Sequence, residues 1–231
     1  MQAGLTLSLT RDADEIRDAQ RLRHRVFIDE MGADGAGGTG LETDVFDRNC
    51  DHLVLRDPTR PDLGAVATLR LGAGTRYTEQ EFDLSALHAS GRSLAEAGRA
   101  CLHPDYRGGL AGMLLFKGLV SVLRERGIGL AVGTASFRGA DVTPHLPALR
   151  RLNHEALAPA ELRPVAHGTG AVAITGTAPP AAMIGVPALI KTYLRAGAWV
   201  GAGAFVDRDF NTVDVCMVLD MTRVKLPART R

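Results

Sequence analysis

Residues 92–112 read RSLAEAGRACLHPDYRGGLAG: an apolar strand carrying Glu96 and Arg99 runs into a Gly- and Arg-containing turn and then a helix. A strand that ends in a turn with free backbone N–H groups, followed by a helix N-terminus, seats a phosphate or pyrophosphate. An acid on the same strand adds a group that can take a proton from an amine. Together they point to transfer of an acyl group from a carrier to an amine. Glu96 and Arg99 stand three residues apart, so a regular strand turns them to opposite faces. A bulge at Gly98 would bring them onto one face and splay the strand from its neighbour; the bland alternative is an edge-strand ion pair.

Upstream of this stretch, residues 4–10 alternate as a strand. Asp12 and Glu15 form a capping pair, and Ile16, Ala19, Leu22 and Val26 recur at helical spacing. That helix is expected to end near Asp29, before the glycine-rich MGADGAGGTG at 31–40. Strands are expected at 52–56 and 65–71, short helices or turns at 78–90, and a strand at 94–102. Downstream, Leu110, Met113, Phe116, Val120 and Leu123 mark a helix that stops at Gly127. A strongly apolar strand follows at 128–137, then a helix at 145–156, a Gly/Pro/Ala-rich stretch to Pro187, a helix at 188–196, and closing strands at 199–206 and 214–220. The early order β-α-β-β-β-α-β predicts an α/β sheet sandwiched by helices, in one domain over 1–231 with a Gly/Pro/Ala-rich insertion near 140–187.

With 231 residues, 45% of them hydrophobic and 23% charged, the chain has the length and composition of one sizeable globular domain. A formal net charge of +1 argues against a nucleic-acid partner bound through a basic surface. Cys50, Cys101 and Cys216, an odd number spread far apart, suit a reducing cytosol. The opening MQAGLTLSLTRDADE lacks the basic and apolar regions of a secretory signal. The least polar run, 165–190, is broken by Gly, Thr and prolines and makes a poor membrane span.

Arg25, Glu42, Asp44 and Asp47 cluster in sequence, followed by Asp51 and His52. Such a set either holds a cationic amine or is a solvated acidic loop. Arg70 and Arg99, on later strands, are available to pair with these acids or with a substrate carboxylate. Cys50-Asp51-His52 and Cys101-Leu102-His103 are each Cys-x-His, a donor set zinc accepts. Metal pairs more often show Cys-x-x-Cys-type spacing, so no metal is expected. No G-x-S-x-G turn is present for a serine hydrolase.

The stretch EAGRACLHPDYRGG resembles the fourth strand and pyrophosphate turn of the GNAT-type acyl-CoA N-acyltransferase fold, which implies a mixed central sheet flanked by helices. Arg107 and Gly112 fit the ends of the usual acetyl-CoA signature, whereas Leu110 occupies its central Gly position, a departure from ordinary CoA binding. A broader resemblance is to the OlsB family of ornithine N-acyltransferases, related to acyl-homoserine-lactone synthases. It is carried, in order, by RLRHRVFIDEMGA, ETDVFDRNCDHLVL, ATLRL, YTEQEFDL, EAGRACLHPDYR, GTASFRGAD, LIKTYLRAGAWV and VDRDFNTVDVCMVL.

That resemblance implies transfer of a 3-hydroxyacyl group from acyl carrier protein to the α-amine of ornithine, giving a lyso-ornithine lipid. It implies Glu96, Arg99 and Cys101 as catalytic positions, with Glu96 the base and a backbone N–H near Ala100 or Cys101 facing the oxyanion. Arg25, Phe27, Asp44, Asp47, Arg70 and Ser136 would form the substrate site. Arg107, Gly108, Gly109 and Gly112 would hold the phosphopantetheine phosphate, the arm running in the splay between strands 94–102 and 128–137. No permanently bound cofactor is implied. The partners implied are acyl carrier protein, ornithine or glutamine as acceptor, and a transient membrane surface when product leaves. The implied location is cytoplasmic, with peripheral contact at the inner membrane face. Segment 165–190 is the candidate wall or lid of the acyl slot, or a plain loop. The rivals are an acyl-homoserine-lactone synthase, which needs a site for S-adenosylmethionine, and a catalytically idle binding protein.

Overall fold

The computed structural model describes residues 4–34, 38–74 and 76–225. Of the glycine-rich stretch 31–40, residues 35–37 lie outside the described residues. The elements run β1 (Thr6–Thr10), α1 (Ala13–Arg23), β2 (Asp51–Arg56), β3 (Ala67–Ala73), β4 (Phe82–Asp83), α2 (Ser85–Ala89), β5 (Leu94–Leu102) and α3 (Leu110–Glu125). They continue with β6 (Leu130–Arg138), α4 (Leu146–Ala156), β7 (Val165–Ala166), β8 (Ala171–Val172), α5 (Ala188–Arg195), β9 (Trp199–Val200), β10 (Ala204–Asp207) and β11 (Thr212–Asp220). The chain divides into two units, Met1–Thr75 with Ala97–Arg126 and Arg76–Glu96 with Gly127–Arg231, and passes from the second back to the first inside β5.

In the first unit β2 is the middle strand, antiparallel to β1 from Thr6↔Arg56 to Thr10↔His52 and to β3 from Asp51↔Leu71 to Leu55↔Ala67. Asp12 caps α1 by accepting from Asp14 N and Glu15 N, each at 3.0 Å, which satisfies two amides the helix cannot. The apolar stripe of α1, Ala19 and Leu22, continues into Val26 and packs on Val54 and Ala65. Helix α3 packs against β1, β2 and β3; at Gly118 an added Cβ would stand 3.6 Å from Leu53 Cδ2. With helices over both Val54 and Leu53, β2 is buried on both faces. Its three central residues, Leu53, Val54 and Leu55, are accordingly all apolar rather than alternating.

The helix expected to reach Asp29 does so in two pieces. α1 ends at Arg23, and His24–Glu30 forms a π-helix, closed by Met31 N donating to Val26 O at 3.1 Å. A widened turn of this kind re-aims the side chains around it.

The second unit holds a mixed sheet. β5 runs parallel to β6 at Leu94↔Leu130, Ala95↔Ala131 and Glu96↔Val132. β6 is antiparallel to β11 along its whole length, β11 to β10, and β10 to β8. One face is closed by a core of Phe82, Leu84, Leu87, Leu130, Val132, Leu162, Cys216 and Val218, and α5 packs against β6 and β11.

The single closing strand expected at 199–206 is two, β9 and β10. Ala202 N donates to Pro164 O and Gly201 N to Cys216 O, both at 2.8 Å. The chain at Pro164 therefore crosses at this point and interrupts the ladder. The Gly/Pro/Ala-rich stretch is also more ordered than its composition suggests. Phe82 pairs with Ala166 between β4 and β7, Phe205 with Ala171 between β10 and β8, and a 3₁₀ helix at Pro180–Gly185 packs on α4. Two-residue strands are too short to leave a period in the sequence. Among the described residues no helix is long and apolar enough to cross a membrane.

An added Cβ at Gly201 would lie 2.9 Å from the Pro164 carbonyl oxygen, so Gly201→Ala forces backbone apart. Equilibrium urea unfolding should show a loss of about 1–3 kcal/mol; an unchanged midpoint would mean that the crossing at Pro164 is slack.

Candidate active site

Three arginines and three carboxylates close a ring in the first unit. Arg23 bonds Glu42 through Nε and Asp47 through Nη1 and Nη2, at 2.8 and 3.1 Å to the latter. Arg70 Nη1 reaches Asp47 at 2.8 Å and Asp44 at 2.5 Å. Arg99 completes it, Nε to Glu42 and Nη2 to Asp44, each at 3.0 Å. Each guanidinium thus bridges two acids and each acid two guanidinia, with no net charge over the six. Arg23 is fully buried, and Glu42, Asp47 and Arg70 are buried with it. Desolvation of so many charges is tolerable only because every one is paired. Gln20 adds a bond to Asp47 Oδ2 at 2.9 Å.

The electrostatics follow from this closure. Burial alone would raise the Asp47 carboxyl, but hydrogen bonds and charge from Arg23, then bonds from Arg70 and Gln20, outweigh it and hold it well below the usual carboxylate range. His52, behind the ring on β2, is fully buried and is pushed down by burial, so it stays neutral.

Arg99 enters the ring from a backbone break. Its φ is 54°, in the left-handed region that a non-glycine residue rarely occupies, at a cost of about 1–2 kcal/mol. The expected irregularity at Gly98 therefore falls one residue later, and the parallel ladder of β5 with β6 ends just before it, at Glu96.

The other first-unit residues sit apart from the ring. Arg25 is exposed and places Nη1 2.6 Å from His103 Nε2. Arg23 takes the ring position that sequence proximity suggested for Arg25. The spacing held the signal: Arg23 lies four residues after Ala19 and three before Val26, on the buried stripe, whereas Arg25 lies off it. Phe27 packs beside Cys101 against the Ala19–Val54 core. Burial pushes the Cys101 thiol up to about 12, so at neutral pH it is packing and no nucleophile.

Arg107 forks onto Glu30 with both bonds at 2.7 Å. Gly108, at φ 73°, makes the turn into α3. Gly109 is the N-cap of α3 without a side-chain bond, and the first turn carries no acid. Gly112 lies inside that turn, where a Cβ would touch Leu102 at 3.4 Å.

In the second unit Glu96 is buried. Oε1 accepts from Thr78 N and Thr78 Oγ1, both at 2.6 Å, and Oε2 from Tyr77 N at 3.1 Å. Three donors aim this carboxylate. Cross-strand partners share a face, as do alternate residues of a strand. The register Glu96↔Val132, Val132↔Val218, Thr134↔Cys216, Ser136↔Asp214 therefore puts Glu96, Ser136 and Asp214 on one face of the mixed sheet. Glu81, Asp207 and Asp214 gather there, each with one carboxylate oxygen within 4.8 Å of the others. Thr78, Glu81, Asp207 and Asp214 were not singled out in the sequence, because nothing local distinguishes them. The Cys50, His52, Cys101 and His103 set forms no four-donor cluster; the acidic trio is the one such group among the described residues.

Residues 22–117 match a family model described as an acetyltransferase (GNAT) domain. The chain is 45% identical to the L-ornithine N(alpha)-acyltransferase of Rhodobacter capsulatus, over 93% of this chain and 89% of that one. It is 34% identical to the protein of the same name from Agrobacterium fabrum, over 95% and 82%. The AHL synthase LasI, a solved structure, matches with a TM-score of 0.55 at 12% identity over 98% of this chain and 99% of its own, a likeness of fold. The fold is that of the GNAT acyltransferases.

Asp47 and Asp220, the latter held down chiefly by its hydrogen bonds from Arg92, have carboxyls depressed below their unfolded values. Their contribution to stability is complete above the unfolded pKa of about 4 and is lost as pH falls through the folded values. Urea midpoints should therefore dip modestly below about pH 6.5, where His52 charges when unfolded but stays neutral when folded, and decline further below about pH 4, where the carboxylates protonate. A decline that begins above that window would assign acid lability to other groups.

Proposed function

The chain belongs to the family of L-ornithine N(alpha)-acyltransferases, and from that premise we propose that it moves a 3-hydroxyacyl group from acyl carrier protein to the α-amine of ornithine. The observation that carries the reading is 45% identity sustained over 93% of the chain. The enzyme class joins an acyl thioester to an amine. The amine nitrogen attacks the thioester carbonyl, a C–N bond forms, the C–S bond breaks, and the carrier leaves as its thiol.

Glu96 is the group proposed to take the amine proton, directly or through one water, and to return it to the leaving sulfur. Its support is position: it is buried, aimed by Tyr77 and Thr78, and stands at the end of the parallel ladder. The phosphate of the carrier's arm is assigned to Arg107 with the amides of Gly108 and Gly109. The 16-residue helix α3 presents its N-terminus there with no side-chain cap and no first-turn acid, which leaves its positive end for an anion. Glu30 now occupies Arg107, so phosphate binding exchanges one anion for another. Leu110, 43% exposed at that turn, stands where acetyl-CoA enzymes have Gly. It favours a carrier-protein donor over free CoA.

Product release at a membrane surface is proposed for the region of Ile184, 82% exposed on the 3₁₀ helix Pro180–Gly185. Its support is that this side chain stands clear of the fold within the segment 165–190, where a lipid layer would cover it. Glutamine is the second reading for the acceptor. Asp44 and Asp47 are each shared by two arginines, so the ring is not by itself an acidic pocket for the ornithine side chain.

The test is mass spectrometry of products from the purified enzyme with 3-hydroxyacyl carrier protein and either amino acid. N-acylornithine is expected; N-acylglutamine alone would select the second reading. Glu96→Gln should lower kcat by about 10²–10⁴-fold with the donor KM unchanged, and an unaltered kcat would reject the base.

A further inference from the structure

We propose that Glu81, Asp207, Asp214 and Thr212 form the site for the distal ammonium of the acceptor amino acid, on the same sheet face as Glu96. The inference rests on the reading that the acceptor is a basic amino acid and adds the residues that recognise it.

The three carboxylates come from different elements. Glu81 caps the 3₁₀ turn Thr78–Gln80, Asp207 ends β10, and Asp214 is the third residue of β11. Each has one oxygen within 4.8 Å of the other two, with Glu81 and Asp214 buried and Asp207 half-buried. Acids this close, away from bulk water, either share protons or gather around a cation.

Thr212 favours the cation. It stands opposite Asp207 in the register and two residues before Asp214, so it rises from the same face beside both. It is 1% exposed, and its Oγ1 has no hydrogen-bond partner among the described residues. A buried hydroxyl left so costs about 1–3 kcal/mol, and a donor entering the cluster would recover it. An ammonium brings three N–H donors and no acceptor; three carboxylates and one hydroxyl are a matching set of acceptors. Arg138, across from Thr212 on β6, brings a guanidinium to this end of the face, and three acids against it still leave the group negative.

The spacing suits a short diamino acid. Thr78 holds Glu96 through its N–H and Oγ1, and Glu81 N closes the 3₁₀ turn onto Thr78 O at 3.1 Å. Glu96 is thus held at one end of this 3₁₀ turn and Glu81 stands at the other, a rise of about 6 Å along the backbone. The α- and δ-nitrogens of ornithine, separated by four carbons, span a distance of the same order. Cys216, two residues past Asp214 on the same face, is near enough to both Glu81 and Glu96 for each to act on its thiol.

The experiment compares steady-state acylation of ornithine with that of norvaline, which has the same chain length but no δ-ammonium, for wild type, Asp207→Asn and Asp214→Asn. Asp207 is half-buried, so its variant keeps the test alive if the Asp214 variant does not fold. The expected result is an ornithine KM raised about ten- to a hundredfold, the loss of one charge-assisted hydrogen bond, with norvaline kinetics unmoved. Equal effects on both substrates, or none on either, would overturn the site. Calorimetric titration with calcium or magnesium alone is the control: tight binding that Asp207→Asn abolishes would make it a metal site and also overturn the proposal. Failure of wild type to acylate ornithine at all would instead refute the function, and the two failures are distinct.

Discussion

The alternating ring Arg23–Asp47–Arg70–Asp44–Arg99–Glu42 is the constraint on which the first unit depends. Its members come from α1, the loop that follows the π-helix, β3 and β5, elements with little local reason to meet. An apolar replacement of the same volume would meet no desolvation penalty. What hydrophobic packing cannot do is specify six directions at once. Each guanidinium offers a planar fork, and each fork here is divided between two acids, so displacing one member leaves charges unpaired on both sides. The left-handed backbone at Arg99 is held by that closure: the side chain must reach both Glu42 and Asp44, and the backbone accepts the strain.

This geometry divides the labour of recognition. A ring that neutralises itself is a rigid polar wall rather than an acidic pocket. Positive charge on an acceptor would then need other acids, and the trio proposed for it lies on the face of the mixed sheet that carries Glu96. The helix α3 terminus, with no cap and no acid, has the opposite polarity and suits a phosphate. One β-strand, β5, carries both the proposed proton acceptor Glu96 and the ring member Arg99, three residues apart in the chain.

The sequence was most legible where periodicity is long. Strand 94–102 and the helix from Leu110 stand where the apolar spacing put them, because a whole buried face repeats; the helix expected at 145–156 stands at Leu146–Ala156. The break in β5 was legible from Glu96 and Arg99 lying three apart, though it falls at Arg99 rather than Gly98. Ring membership was legible for five of six. Glu42, Asp44 and Asp47 stood out as a cluster of acids and Arg70 and Arg99 as arginines on strands, but Arg23 sits on a helix stripe that otherwise reads as apolar, and Arg25 stood in its place. The trio Glu81, Asp207 and Asp214 lay inside two of the segments that carry the resemblance, but nothing marked them as neighbours, since sheet register brings together residues more than a hundred positions apart. The stretch 165–190 read as loop because its strands β7 and β8 are two residues each.

The most direct measurement of the closed ring is a double-mutant cycle on Arg99 and Asp44, Arg99→Leu and Asp44→Leu singly and together, read by urea unfolding. Closure predicts that each single change is severe, since it strands the other charge, and that the pair is milder than the sum by about 1–3 kcal/mol. Losses that add within about 0.5 kcal/mol would contradict it, leaving Arg99 and Asp44 as neighbours that do not depend on each other.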